Sequence, residues 1–297
     1  MLLDGKKIAK EIELEIQAEI STFEGRPPCL AVVLVGLDPA SQVYVNSKKK
    51  ACARAGIRSV AHELPADTRQ ETLLELVAEL NADPNVDGIL CQLPLPSHIS
   101  EGAVIDAIDP SKDVDGFHPI NTGKLLNGDP SAFVACTPLG IKVLLQRFGI
   151  ETEGKHVAII GRSNIVGKPL AALLMQNATG ANATVTVLHS RSKQLKDVCR
   201  QADIVIPALG IPLFLKQDMV REGAVVVDVG MNRVEDKSSP KGYRIVGDAD
   251  FDALKDHCSA ITPVPGGVGL MTVAMLLNNT LISYKRRQIR HQHTPAS

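Results

Sequence analysis

The chain reads as an α/β protein of two domains, each built on a mainly parallel sheet, and three observations predict this. Apolar runs of strand length alternate with helical patterns along nearly all of the 297 residues. Those runs, such as 30–35 (Leu-Ala-Val-Val-Leu-Val), are continuous rather than alternating, as strands buried on both faces are. The length suits two domains of ordinary size.

Ile8, Ile12, Ile16 and Ile20 recur every four residues with Lys and Glu between them, which predicts an opening amphipathic helix. The run at 30–35 ends at Gly36 as a buried strand. Residues 41–55 follow as a helix, with Ser41 as N-cap after Pro39. Residues 59–64 form a second strand, 73–80 a helix and 88–93 a third strand ended by Pro94 and Pro96. The second half repeats the alternation: strand 156–160, helix 168–176, then strands 184–188, 204–207 and 224–229 with helices between. The break between domains falls near 131–138. A last helix over 271–284 is long enough to return to the first domain. The expected domains are therefore residues 1–137 with 277–297, and residues 138–276.

Hydrophobic residues make up 44% and charged residues 22%, a soluble globular balance. A net charge of −1 without a basic run before the tail argues against a nucleic-acid partner. The basic tail at 285–290 reads as a solvated helix end. No stretch approaches the roughly 18 apolar residues of a membrane span. Asp4, Lys6 and Lys7 stand where a signal peptide would place its apolar core, so a cytoplasmic protein is expected. Cysteines 29, 52, 91, 136, 199 and 258 are scattered without a C-x-x-C pair, which fits reduced thiols and no metal site.

Strand 156–160 runs into Gly161-Arg162-Ser163-Asn164-Ile165-Val166-Gly167, and a helix with Pro169 at its start follows. Backbone amides at such a helix start bind phosphate, so Gly161, Arg162, Ser163, Val166 and Gly167 are candidate cofactor residues in a Rossmann-type domain. Ser163 and Val166 replace the second and third glycines of G-x-G-x-x-G, and a tight turn capped by Ser163 is the structural alternative. A site for NAD usually places Asp or Glu about 20 residues on. Here strand 184–188 is followed by His189-Ser190-Arg191-Ser192, with no acid. The hydroxyl of Ser190 and guanidinium of Arg191 suit a 2′-phosphate, so NADP is the expected cofactor. Met231 is grouped with these residues.

Four further segments stand out. Pro39-Ala40-Ser41-x-x-Tyr44-Val45-x-x-Lys48 puts Tyr44 and Lys48 on one helix face. The others are Gln92-Leu93-Pro94-Leu95-Pro96, Lys112-Asp113-Val114-Asp115-Gly116-Phe117-His118-Pro119 and Pro263-Val264-Pro265-Gly266-Gly267-Val268-Gly269. Singly each has a plain structural reading: a core ring and a surface amine, a strand-end amide, carboxylates shaping a turn, a loop.

In this order, over nearly the whole chain, they resemble the bifunctional methylenetetrahydrofolate dehydrogenase/methenyltetrahydrofolate cyclohydrolase family. The resemblance implies an N-terminal α/β domain, a Rossmann-type NADP domain, a folate cleft between them and a homodimer. Oxidising 5,10-methylenetetrahydrofolate removes only a hydride, so positioning suffices there. Hydrolysis of the methenyl cation needs proton management. An amine beside a cationic substrate more readily becomes neutral and basic, so Lys48 is the candidate for that step, as the family also implies. Gln92 would hydrogen-bond and orient Lys48, and Tyr44 would stack on the folate. By the same resemblance Asp115 accepts hydrogen bonds from the pterin. Pro265, Gly266, Gly267, Val268 and Gly269 form the substrate loop, where a Cβ would obstruct close approach.

Three positions depart from the common family form: Leu270 for proline, Leu139 for a basic residue and Ala135 for proline. Three rival readings remain. In a short-chain dehydrogenase, Y-x-x-x-K follows the nucleotide turn, whereas here it precedes it. A two-domain dehydrogenase of amino or shikimate-type acids would share the architecture without these segments. An NADP-sensing regulator would have no need of an intact Lys48, Gln92 and Asp115.

Overall fold

In a computed structural model the chain is described over residues 1–36, 39–239 and 242–293, with backbone alone at 39–41, 43, 44 and 290–293. It divides into two compact units. One holds Lys10–Lys124, Asp129–Cys136 and Val273–Ser297. The other holds Met1–Ala9, Leu125–Gly128 and Thr137–Thr272.

The chain opens with α1 (Gly5–Ile20), β1 (Cys29–Val35), α2 (Pro39–Ala55), β2 (Arg58–Leu64), α3 (Gln70–Ala82) and β3 (Gly88–Cys91). α4 (Glu101–Ala107) and α5 (Pro119–Leu126) follow. The strands form a parallel sheet in the order β2-β1-β3. All seven residues of the central β1 are buried, which is why its sequence is an unbroken apolar run. Leu73, Val77 and Leu80 of α3 pack with Val33, Ile89 and Val104 in one core. Ile89 also bridges in parallel to Asp113, so the segment ending at Asp115 runs alongside β3. α2 begins at Pro39, which puts Ser41 inside the first turn and corrects its expected place at the cap. The side chains of Ser41 and Tyr44 lie outside the described residues.

The second unit is built from α6 (Cys136–Arg147), β4 (His156–Ile160), α7 (Gly167–Leu174), β5 (Thr184–Leu188), α8 (Leu195–Gln201) and β6 (Ile204–Pro207). It continues with β7 (Val225–Val226), β8 (Asn232–Glu235), β9 (Tyr243–Val246), α9 (Phe251–Leu254) and β10 (Ala260–Ile261). Its sheet is parallel, in the order β10-β7-β6-β4-β5. β7 is shorter than expected, yet Val227 N and Val229 N still donate to Val205 O and Pro207 O at 3.0 Å. β8 and β9 make a separate antiparallel pair that apolar patterning alone does not announce.

Residues 1–9 belong to this unit, not with 10–137 as the sequence suggested. The cause is pairing at the edge of the sheet. Leu3 N donates to Ile261 O at 2.8 Å, Ile261 N to Met1 O at 3.0 Å and Lys6 N to Gly266 O at 3.0 Å. The last helix, α10 (Val268–His293), contributes its start to this unit and Val273 onward to the first. Among the described residues no helix is long and apolar enough to cross a membrane.

Candidate functional site

In the first unit, strand order brings the candidate residues to one end of the sheet. Gln92 directly follows β3, and its backbone N–H extends the ladder to Val33 O at 2.8 Å. Asp115 lies two residues beyond the Asp113 bridge, on the same carboxyl edge. In open parallel sheets this edge is where ligands bind. Lys48, half-buried on α2, donates from Nζ to Gln92 Oε1 at 2.9 Å. Gln92 Nε2 donates to Leu93 O at 2.7 Å, so the amide can only present its oxygen to the lysine. The lysine is therefore held by a fixed acceptor.

Asp113 and Asp115 have different tasks. The Asp113 carboxylate accepts the backbone N–H groups of Gly116, Phe117 and His118, and Asn121 Nδ2 at 2.8 Å. It shapes the turn, as the structural reading allowed. The Asp115 carboxyl contacts the Cys136 thiol instead, and loss of water raises its pKa above the usual carboxylate value. The Lys48 charge opposes that rise, while the Asp113 charge adds to it. Burial also holds Cys136 well above the ordinary thiol value, with the Asp115 charge contributing. Cys91 is pushed up to about 12 by burial and by Asp115. These thiols are protonated at neutral pH and offer no nucleophile. All six cysteines are buried and free.

Gly116 permits this arrangement. Its φ is +77°, and a Cβ would stand 2.5 Å from Ala135 N. Cys136, the first residue of α6, donates its N–H to Asp115 O at 3.3 Å. Sequence reasoning missed the part of Cys136 beside Asp115, because 21 positions separate them and neither belongs to a common periodic pattern.

In the second unit, the turn after β4 is pinned by its glycines. Gly161 has a φ of +137°, and a Cβ there would lie 2.3 Å from Ala208 O. A Cβ on Gly167 would lie 2.1 Å from Gly161 O. The turn must therefore be backbone alone at both positions. Ser163 Oγ accepts Val166 N at 3.1 Å and Gly167 N at 3.4 Å, so the hydroxyl replaces the missing glycine with a cap. Arg162, Ser163, Asn164 and Ile165 are exposed. After β5, Ser192 Oγ accepts His189 N, and His189 Nδ1 accepts Arg191 N at 3.2 Å. Ser190 and Arg191 are exposed at this turn, and the Arg191 guanidinium has no carboxylate partner among the described residues.

Loop 262–269 follows β10 on the same carboxyl edge. Gly266 has a φ of +111°, while a Cβ on Gly267 would meet Pro263 O at 2.6 Å. A Cβ on Gly5 would lie 2.2 Å from Gly267 O. The glycines are thus required first by the protein's own backbone. Met231 lies against this loop, its Cε 2.8 Å from where a Gly269 Cβ would sit. Leu270 N donates to Gly267 O at 3.3 Å, a bond that proline at this position could not make. A cleft joins Asp228, Gly230 and Met231 to Pro265, Gly266 and Gly269.

A strand-turn-helix of nucleotide-binding type in one unit and an amine held by a fixed acceptor in the other are features of a two-domain nicotinamide-dependent enzyme. Comparison with known proteins makes this specific. Residues 3–115 match the tetrahydrofolate dehydrogenase/cyclohydrolase catalytic domain and residues 135–288 its NAD(P)-binding domain, and the chain belongs to that family. It is a methylenetetrahydrofolate dehydrogenase and methenyltetrahydrofolate cyclohydrolase. The bifunctional protein FolD of Protochlamydia amoebophila is 58% identical, over 97% of this chain and 99% of that protein. The crystal structure of the bifunctional enzyme FolD from Campylobacter jejuni has a TM-score of 0.91 at 49% identity, covering 97% of this chain and 99% of that one. The Trypanosoma brucei methylenetetrahydrofolate dehydrogenase-cyclohydrolase, solved with NADP cofactor and inhibitor, gives 0.91 at 40% identity over 98% of both chains.

Proposed function

We propose that oxidation and then hydrolysis act on the folate at the same site: the first unit supplies Tyr44, Lys48, Gln92 and Asp115, with Lys48 managing the proton, and the second supplies the substrate loop at 265–269 and the residues that hold NADP. The cofactor supplies a hydride acceptor when bound. Three observations support NADP. The turn at 161–167 packs its own backbone closely at Gly161 and Gly167 and runs into the start of α7, the strand-turn-helix context in which a pyrophosphate is bound. The strand after it ends without an acid, and Arg191 stands exposed beside Ser190 to meet a 2′-phosphate. The related Trypanosoma brucei enzyme was solved with NADP. Gly161, Arg162, Ser163, Val166, Gly167, Ser190, Arg191 and Met231 form the cofactor group.

The folate group is Tyr44, Lys48, Gln92, Asp115 and the loop at 265–269. Oxidation of 5,10-methylenetetrahydrofolate transfers a hydride and leaves a methenyl cation shared by two nitrogens, so the residues need only position the carbon. Hydrolysis then adds water to that carbon. Lys48 takes one proton of the water as oxygen bonds to carbon, the resulting ammonium gives it to N5 as the carbon–N5 bond breaks, and the remaining hydroxyl proton is released to solvent as the formyl C=O forms, giving 10-formyltetrahydrofolate. Asp115 accepts hydrogen bonds from the pterin, with the Lys48 charge opposing the rise in pKa that burial causes. The Lys48–Gln92 hydrogen bond at 2.9 Å is the observation that carries this reading, because it fixes the direction of the one amine at the site. The chain acts as a cytoplasmic homodimer.

Purified protein given methylenetetrahydrofolate and NADP⁺ is expected to show methenyl absorbance rising and then decaying, faster than with NAD⁺. Equal or better turnover with NAD⁺ would refute the 2′-phosphate argument. Absence of turnover with either would refute the assignment of these groups.

A further inference from the structure

Two buried aspartates of the second unit, Asp228 and Asp248, have no part in the chemistry above. Asp228 follows β7 and Asp248 follows β9. Asp228 Oδ1 accepts Gly230 N and Asp248 N, both at 2.9 Å, and its Oδ2 accepts Ala249 N at 2.8 Å. Asp248 Oδ2 accepts Leu209 N at 2.6 Å and Gly210 N at 2.9 Å, and its Oδ1 accepts Asn232 Nδ2 at 2.8 Å. Among the described residues neither has a lysine or arginine partner. Space is kept open for both carboxylates. A Cβ on Gly247 would stand 1.8 Å from Asp228 Oδ2, and one on Gly230 would stand 2.3 Å from Asp248 Oδ1.

Two buried carboxylates without a cation are costly to keep. Burial raises the Asp228 pKa to about 6 in spite of its three backbone donors. What a carboxylate offers is acceptance on both oxygens, so one side chain can tie several N–H groups. The tied segments are those after β6, β7 and β9, and the first two leave the sheet at its carboxyl edge. The sheet order says which part of the cofactor they would face. With the 2′-phosphate at the β5 turn and the pyrophosphate at the β4 turn, the nicotinamide extends over β6, β7 and β10.

We infer that the Asp228–Asp248 pair is a positioning device for hydride transfer, setting the loops after β6 and β7 that seat the nicotinamide ring. The inference rests on the cofactor placement proposed above. Asp228→Asn cannot restore the pattern, because all three donors to Asp228 are backbone N–H groups and an amide must turn its NH₂ toward at least one. Asp248→Asn can be partly rescued, because Asn232 can turn its own amide oxygen toward the new NH₂.

The test measures kcat and KM(NADP⁺) for the dehydrogenase, kcat for hydrolysis of supplied methenyltetrahydrofolate, and Tm. For Asp228→Asn, dehydrogenase kcat is expected to fall about 10- to 100-fold, at least tenfold more than cyclohydrolase kcat, since a displacement near 1 Å costs about that much. Asp248→Ala is expected to show the same split and Asp248→Asn a smaller one. Should Asp228→Asn fail to fold, the Asp248 pair decides the question. Equal falls in both activities, or a dehydrogenase loss that merely follows Tm, would overturn the inference. An inactive wild type would overturn the functional reading itself, whereas an active wild type with unaffected variants overturns this inference alone.

Discussion

Replacing Lys48 by methionine removes the amine while keeping most of the side chain's length and apolar stem. The structural cost is small. One half-buried hydrogen bond to Gln92 is lost, about 1 kcal/mol of stability, and Gln92 remains held through Leu93 O and Val33 O. The chemical cost is larger. A positioned general base contributes about 10²- to 10⁴-fold, equivalent to about 2.7–5.5 kcal/mol of barrier. Cyclohydrolase turnover is expected to fall by that factor. Hydride transfer uses no base, so dehydrogenase turnover is expected to stay within about tenfold of wild type. Loss of the Lys48 charge also removes what opposes the burial of Asp115, so its pKa rises further. That change should appear as weaker folate binding at neutral pH, recovering as pH rises. The assay follows methenyl absorbance: the variant should accumulate the methenyl product, while wild type consumes it. Lys48→Arg separates charge from proton transfer, since guanidinium keeps the charge but cannot act as a base near neutral pH. Equal retention of both activities in Lys48→Met, or full cyclohydrolase activity in Lys48→Arg, would refute the base role.

Two other expectations are independent of that step. Arg191→Ala should raise KM for NADP⁺ about tenfold, the worth of a charge-assisted bond to phosphate, and leave KM for NAD⁺ unchanged; an equal effect on both would remove Arg191 from the 2′-phosphate site. Lys112 is fully buried and donates from Nζ to Leu80 O, Asn81 O and Asp83 O at 2.7–2.8 Å, closing the end of α3. Lys112→Met should lower unfolding free energy by about 2–4 kcal/mol, three orphaned carbonyls offset in part by relief of a buried charge. Burial lowers its pKa to about 8, below the ordinary 10.5. Between those values the unfolded chain binds more protons, so wild-type stability gains with rising pH what the variant cannot. Urea titrations at pH 7 and 9.5 should show the gap widening, and a gap that narrows would contradict the sign.

Much of the fold is legible because burial on both faces writes itself into consecutive residues. β1 and β4, each paired on both sides in its sheet, are clear apolar runs in the sequence. The antiparallel β8 and β9 pair is not, since only Val246 of its residues is buried and it carries Arg233, Glu235 and Arg244 exposed. α4 gave a signal that could have been used: Ser100 Oγ accepts Ala103 N as an N-cap immediately before Glu101. For the site, the spacing of Tyr44 and Lys48 was local and readable. The Lys48–Gln92 bond was anticipated only through resemblance, because 44 positions lie between them.

The sequence alone determined the alternation of the main parallel strands with helices, the glycine turn at 161–167, the missing acid after β5 and the family. Each is a property of neighbours along the chain, where periodicity, turn chemistry and motif spacing act directly. The tertiary structure decided why the glycines are needed, which aspartate shapes a turn and which faces the lysine, and where residues 1–9 belong. It alone revealed the Asp228–Asp248 pair. Those outcomes depend on which carbonyls, amides and carboxylates meet across the sheet. A buried polar group is set by the partners that satisfy it, and in a parallel sheet those partners are distant in sequence.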